Sequence, residues 1–275
     1  MAKPRKRPVL IGIAGGSGSG KTHLARRVQE GAGEDCVAVL SMDQYFRREG
    51  ADNPRRVNFD HPAHIDFRQM LVDLRALKRG RSVMAPTYDF ATMRQSPRSV
   101  RVHAREIVLV EGLFVLAEPI VKLFDLTCFL DVAPDQRLLG RILRDLEERN
   151  ADIAAIVDRY QRFVRPAYDV FVAPTMHNAD VVVDFTYRRA LFSEMLTHIA
   201  RDYVTGDLDI EPFLDRVRRE AFHIGYRPED GAMPISVDIF KLAKAFPPSM
   251  IPGGIPEEPA ASPRLFIKGG GARQP

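Results

Sequence analysis

The chain of 275 residues is long enough for one α/β domain with a buried core, and it has no run of roughly 20 apolar residues that could span a membrane. Its 40 basic and 36 acidic residues nearly balance, and part of the excess lies at a solvated end, residues 3–7, so we expect neither nucleic acid nor a membrane as a partner. The two cysteines, Cys36 and Cys128, lack metal-ligand spacing and are typical of reduced thiols in a cytoplasmic protein.

Short apolar runs alternate with segments of helical periodicity over the first 185 residues. The runs at 9–14, 36–41, 107–110, 127–131 and 181–185 predict strands, and the segments at 23–30, 65–78, 134–148 and 153–172 predict helices. Asp66 is expected to cap the second helix and Gly80 to end it. Because the strands are almost wholly apolar, they predict a parallel sheet that helices cover on both faces, an α/β fold.

Polar segments at 43–64 and 85–106 interrupt this pattern and are typical of functional loops, and the second predicts a hairpin whose turn lies near Pro97 and Arg98. Residues 190–225 have helical periodicity, and the region from 246 onward is dense in proline and glycine, which predicts a mobile or loosely docked tail. The sequence therefore predicts a domain at 1–187, a helical extension at 188–245 and a tail at 246–275.

Residues 15–22 match the Walker A spacing at every required position; they are Gly15, Gly16, Ser17, Gly18, Ser19, Gly20, Lys21 and Thr22. The glycines permit a tight turn whose backbone N–H groups face phosphates, and the helix that follows adds the positive end of its dipole. Lys21 would neutralise the β- and γ-phosphates of ATP or GTP, and the Thr22 hydroxyl would coordinate Mg²⁺. The motif follows a strand and begins a helix, which predicts a fold of the P-loop NTPase type.

Two carboxylates follow predicted strands and should lie beside the phosphates, because ligands bind at the carboxyl ends of the strands in such sheets. Asp43 could accept a proton from an attacking hydroxyl group, or it could only cap the turn that follows. Glu111 follows the strand at 107–110, where P-loop enzymes usually hold Mg²⁺, although a glutamate after a strand is also common.

Several segments occur in the order found in one enzyme family: GGSGSGKT at 15–22, SMDQYF at 41–46, NFDHP at 58–62, PTYDF at 86–90, EG at 111–112, RILRD at 141–145 and YQRFVRP at 160–166. Over roughly residues 8–187 the chain resembles the uridine kinase family, which is related to phosphoribulokinase. The third and fourth segments are much more specific than the phosphate loop. The resemblance implies transfer of a phosphoryl group from ATP or GTP to the 5′-hydroxyl of a pyrimidine nucleoside, and a homo-oligomer.

The resemblance also implies roles for individual residues. Asp43 matches the general base, Asp60 and Arg141 match residues that hold the ribose hydroxyls, and Tyr88 matches an aromatic residue beside the base. Arg144 matches a lid arginine that approaches the transferring phosphate, a role that suits its charge. Arg141 and Arg144 share a helix face, which could instead be a solvated basic surface.

Three positions depart from the family pattern, and all three belong to recognition of the base. Met93 stands where the family has histidine, Ala151 where it has arginine, and Arg159 where it has glutamine. The identity of the phosphate acceptor is therefore open. A sugar phosphate or another small polyol is the alternative, as in phosphoribulokinase. Four arginines before Asn58 could meet such an anionic acceptor, or they could simply form a solvated basic loop: Arg47, Arg48, Arg55 and Arg56. A catalytically silent ATP-binding regulator is a third hypothesis.

Overall fold

A parallel sheet forms the centre of the computed structural model, which describes residues 7–47, 58–90, 92, 94–149, 151–220 and 222–224. Its six strands are β1 (Val9–Gly15), β2 (Val37–Ser41), β5 (Ile107–Glu111), β6 (Leu126–Asp131), β7 (Val181–Asp184) and β8 (Phe222–Ile224). They lie in the order β2-β5-β1-β6-β7-β8. The strand that leads into the phosphate loop is thus central, with β5 and β2 on one side of it and β6 and β7 on the other. The predicted α/β fold is confirmed.

Helices cover both faces of this sheet, which explains why its strands are apolar throughout. They are α1 (Lys21–Ala32), α2 (Phe67–Lys78), α3 (Pro134–Arg149), α4 (Ile153–Arg159), α5 (Arg165–Ala167), α6 (Phe185–Thr205) and α7 (Ile210–Glu220). Leu10 of β1 is buried in the core on the α2 side, whereas Ile11 is buried in the core formed with α1, α6 and α7. This alternation follows from the two-residue period of a strand.

Helix α2 begins and ends where the sequence predicted. The Asp66 side chain accepts a hydrogen bond from the Gln69 backbone N–H at 3.0 Å and so caps the helix. Gly80, with φ of +74°, follows the last turn in a conformation that favours glycine. The predicted helix at 153–172 is interrupted: π-helical turns Tyr160–Val164 and Tyr168–Val172 lie on either side of α5.

The predicted hairpin is present as the antiparallel pair β3 (Val83–Asp89) and β4 (Arg94–Val102), but the predicted position of its turn is wrong. Pro97 and Arg98 lie within β4, opposite the register shift between Pro86 and Thr87. Proline has no backbone N–H to donate to a ladder, so it suits a bulge as well as a turn. The Thr87 hydroxyl donates to the Arg98 carbonyl at 2.8 Å and bridges this bulge.

The C-terminal helices pack on the same sheet. Helix α6 starts directly after β7 and ends at Gly206, whose φ is +97°. The helical pattern predicted for 190–225 is wrong at residues 222–224, because these form β8, parallel to β7. Three apolar residues are too few for periodicity to identify a strand. The domain division at 187 stays a prediction, and the tail predicted from 246 lies outside the described residues. Among those residues, no helix is long and apolar enough to cross a membrane.

Candidate active site

The phosphate loop connects β1 to α1 and is shaped by its glycines. Gly15, Gly18 and Gly20 have φ of +149°, +83° and +88°, values that other residues rarely adopt. The Ser19 backbone N–H donates to the Gly16 carbonyl at 3.1 Å and closes the turn. The loop therefore forms a concave backbone surface at the N-terminus of α1, suited to an anion.

Lys21 and Thr22, the first residues of α1, directly follow this cradle. Lys21 is only 8% exposed, and its Nζ donates to the Gly16 carbonyl at 2.9 Å. The Thr22 hydroxyl donates to Glu111 Oε1 at 3.1 Å, which joins α1 to the end of β5. A hydroxyl and a carboxylate oxygen side by side are the hard ligands that Mg²⁺ prefers, so these two residues fit the predicted ion.

Asp43 lies just beyond β2, next to β5 in the sheet. Asp43 lies within the 3₁₀ turn Met42–Tyr45 and does not cap it, because Ser41 Oγ accepts the capping hydrogen bond from the Asp43 backbone N–H at 3.3 Å. Burial, and then the negative charge of Glu111, raise the pKa of Asp43 to about 6, against the opposing effects of Lys21 and Arg144. Asp43 is therefore a carboxyl group poised to exchange protons near neutral pH.

Helix α3 covers the cradle with its charged face. Arg137 and Arg141 are 2% and 5% exposed, whereas Leu139 and Leu143 on the opposite face are 52% and 60% exposed. The alternative of a solvated basic surface is thus wrong for Arg141. The two segments touch at Gly140, because a Cβ added there would lie 2.7 Å from the Gly18 carbonyl oxygen. The absence of a side chain at this position lets the helix approach the phosphate loop.

Asp145 is a buried carboxylate that contacts both Arg141 and Arg144. Its Oδ1 accepts hydrogen bonds from Arg144 Nε and Nη2 at 2.9 and 2.8 Å, and its Oδ2 lies 3.4 Å from Arg141 Nε. Arg141 Nη1 also donates to Ser17 Oγ in the phosphate loop at 2.7 Å. The structure thus links Arg141 to the cradle, while its predicted contact with a ribose stays a proposal. Asp145 was not predicted from the sequence, although its position directly after Arg144 could have revealed it.

Four aromatic rings pack against one another near Asp60, which directly follows one of them, Phe59. Tyr88 lies 5.2 Å from Phe46 and 5.0 Å from Phe90, measured between ring centroids, and Phe59 lies 5.9 Å from Phe46. We call these four rings, Phe46, Phe59, Tyr88 and Phe90, the aromatic wall. Only Tyr88 was predicted from the sequence to lie beside the base. The four rings come from three segments, 41–46, 58–62 and 86–90, which the fold brings together.

Arg159 stands beside the aromatic wall. Its guanidinium carbon lies 5.1 Å from the Phe59 ring centroid. Burial lowers the pKa of Arg159, and the nearby carboxylate of Asp60 opposes this effect. Ala151 lies just beyond the C-terminal end of α3, where its N–H donates to the Asp145 carbonyl at 3.1 Å. Met93, the third departure, lies outside the described residues.

Comparisons with known proteins identify the family of the chain. The sequence model of the phosphoribulokinase/uridine kinase family matches residues 10–191. The chain is 33% identical to a uridine kinase of Clostridium perfringens over 182 residues, which are 65% of this chain and 88% of that protein. It is 37% identical to uridine-cytidine kinase-like 1 of Mus musculus over 186 residues, 65% of this chain and 34% of that protein. A D-glycerate 3-kinase structure from Cryptococcus neoformans is 15% identical with a TM-score of 0.46, covering 64% of this chain and 82% of that one.

Proposed function

Because the chain belongs to the phosphoribulokinase/uridine kinase family and is thus a P-loop kinase, we propose that it transfers the γ-phosphoryl group of ATP to the ribose 5′-hydroxyl of a nucleoside. The observation that carries the proposal is the position of Asp43. It is a carboxyl group with a pKa of about 6, in the electrostatic field of Lys21 and Arg144 and at the carboxyl end of the sheet. A protein that only binds ATP does not need such a group.

The proposed reaction assigns tasks to five residues around the cradle. Asp43 accepts the proton of the hydroxyl group, the hydroxyl oxygen bonds to the γ-phosphorus, and the bond to the β-phosphate oxygen breaks to release ADP. Lys21 and Arg144 stabilise the negative charge that spreads over the transferring group. Thr22 and Glu111 would hold Mg²⁺, which supplies further neutralisation of the phosphates when bound.

The acceptor side favours a nucleoside over a plain sugar. The half-buried rings of the aromatic wall, Phe59, Tyr88 and Phe90, offer faces on which a planar base can stack, and each such contact is worth about 1 kcal/mol. The carboxylate of Asp60 can accept hydrogen bonds from two neighbouring ribose hydroxyls. A sugar phosphate has no planar ring that could stack on these faces.

Arg159 is the observation that favours the second candidate, a sugar phosphate or another small polyol. It adds a cation beside Asp60, where the family has a neutral glutamine. A guanidinium group binds a phosphate more strongly than an amide does.

A panel of acceptors, assayed by ATP consumption, separates the candidates. The panel contains uridine, cytidine, a pentose phosphate and a simple polyol, and it is run with the wild type and with Arg159→Gln. The nucleoside proposal expects uridine or cytidine to be the best acceptor in both. Turnover of the pentose phosphate alone, lost in Arg159→Gln, would establish the second candidate instead.

The panel also covers the remaining hypothesis of a catalytically silent regulator. Tight binding of ATP with no turnover of any acceptor would favour that hypothesis and contradict the proposal. Running the same panel with ATP and with GTP shows which nucleotide is the preferred phosphate donor. The homo-oligomer and the cytoplasmic location stay predictions from the sequence.

A further inference from the structure

Arg137 is a buried arginine of α3 to which the proposed mechanism gives no task. It is 2% exposed, its Nε donates to the Val132 carbonyl at 3.0 Å, and its guanidinium carbon lies 3.5 Å from the centroid of the Tyr168 ring. Its Nη1 is buried and has no hydrogen-bond partner in the part of the chain that the structure describes. Within that part it also makes no ion pair with a carboxylate.

This unsatisfied nitrogen lies directly against the phosphate loop. A Cβ added to Gly16 would lie 2.6 Å from Arg137 Nη1 and 3.0 Å from Tyr168 Cδ2, so only glycine leaves room for the guanidinium group. The Gly16 carbonyl, in turn, accepts the hydrogen bond from Lys21 Nζ at 2.9 Å. Arg137 therefore lies behind the part of the cradle that holds the amine expected to contact the β- and γ-phosphates.

A cation held away from water without an ion-pair partner is costly, because burial removes its hydration. Tyr168 offsets part of this cost with the face of its ring, and Asp131 reaches the same network by accepting a hydrogen bond from the Tyr168 hydroxyl. Neither contact supplies a partner for Nη1. A polyphosphate in the cradle would bring the missing negative charge to within a few ångströms of the loop that Arg137 supports.

We propose that Arg137 is a positioning residue for the phosphate donor, which holds Gly16 in place and lends its positive charge to the cradle. The proposal rests on the proposed function only in needing a polyphosphate to occupy the loop. It explains why a buried position on α3 carries arginine and not an apolar residue. Gly140 brings α3 against Gly18, so Arg137 also connects α3 to the cradle.

The alternative is that Arg137 only fills space beneath the lid. The two roles differ in what they do to the unliganded protein. If Arg137 only packs, its replacement by methionine lowers the thermal midpoint and changes ATP affinity little. If it serves the donor, the same change relieves an unpaired buried charge, so the unliganded midpoint stays equal or rises while ATP binding weakens.

The test compares the wild type with Arg137→Met and Arg137→Lys, using Arg27→Met on the exposed face of α1 as the matched control. Thermal midpoints are measured without ligand and with ATP, and the dissociation constant of ATP is measured by calorimetry. We expect Arg137→Met to bind ATP about 10- to 100-fold more weakly, the range for one lost charged interaction. Arg137→Lys should recover part of this loss, and the control should match the wild type.

A lower thermal midpoint of unliganded Arg137→Met would overturn the proposal, whatever its ATP affinity. An ATP dissociation constant for Arg137→Met within twofold of the wild type would overturn the proposal, and so would a lysine variant as weak as the methionine variant. If Arg137→Met does not fold, Arg137→Gln takes its place in the same comparison. A wild type that binds no ATP would overturn both this proposal and the proposed function, whereas normal wild-type binding with unaffected variants would overturn this proposal alone.

Discussion

Replacing Asp43 by asparagine tests two consequences of its position at once. The change keeps the shape of the side chain and removes its ability to accept a proton. Because Asp43 is the proposed base, turnover should fall by about 10²- to 10⁴-fold, the usual contribution of a general base. ATP binding should change little, since the cradle and Lys21 are untouched.

The same substitution should stabilise the unliganded protein at neutral and alkaline pH. The ordinary pKa of 3.8 rises in the fold to about 6, so the folded state holds this proton more tightly than the unfolded chain does. Ionised Asp43 therefore costs stability above pH 6, and this cost disappears as the pH falls towards 4. At 1.36 kcal/mol per pH unit the gap corresponds to about 3 kcal/mol, which residual solvent contact reduces to about 1–3 kcal/mol.

Urea unfolding of both proteins without nucleotide, at pH 8 and at pH 4.5, measures this effect. Asp43→Asn should be the more stable protein at pH 8, and its advantage should shrink at pH 4.5. The wild-type kcat/KM should also decline below about pH 6, where Asp43 gains its proton. Glu34→Gln, at an exposed carboxylate, is the control and should change neither quantity. Equal stabilities at pH 8 would contradict the raised pKa of Asp43, and unchanged turnover would contradict its role as the base.

Three further substitutions test the rest of the site. Glu111→Gln should raise the Mg²⁺ concentration needed for half-maximal rate by about tenfold, as a metal titration would show. It should also move the acid limb of the kcat/KM pH profile to lower pH, because the negative charge of Glu111 contributes to the raised pKa of Asp43. Asp145→Asn should lower kcat by about tenfold or more with ATP affinity within a few-fold, as steady-state kinetics would show, because the lid arginines lose the carboxylate that orients them. Gly18→Ala should abolish ATP-induced thermal stabilisation, since its φ of +83° and the adjacent α3 carbonyl leave no room for a methyl group; a normal thermal shift would contradict this.

The parts of the molecule that could be predicted from sequence are those encoded locally. The cradle at 15–22 is a contiguous motif, and the central strands are long apolar runs, so their positions follow from pattern alone. The cap at Asp66 is likewise a local interaction. Pro97 was misplaced because proline suits both a turn and a bulge, and β8 was missed because three residues carry no period.

The parts that could not be predicted depend on contacts between distant segments. Asp145 has a role only because α3 folds its charged face onto the cradle, and Arg137 matters only because Gly16 and Tyr168 meet around it. The charge pattern of α3 was visible, with arginines at 137, 141 and 144, but a basic stripe is usually solvated. Its burial here follows from the position of β6, whose carboxyl end directs α3 across the phosphate loop.

The most direct test of the central claim is to identify the phosphorus product by ³¹P NMR, in reactions that contain the wild type, ATP, Mg²⁺ and each nucleoside in turn. A nucleoside kinase should form a phosphate monoester whose resonance couples to the two 5′-methylene protons, in equal amount with ADP, and Asp43→Asn should form almost none. Formation of ADP with only inorganic phosphate for every acceptor, or no consumption of ATP, would contradict that claim.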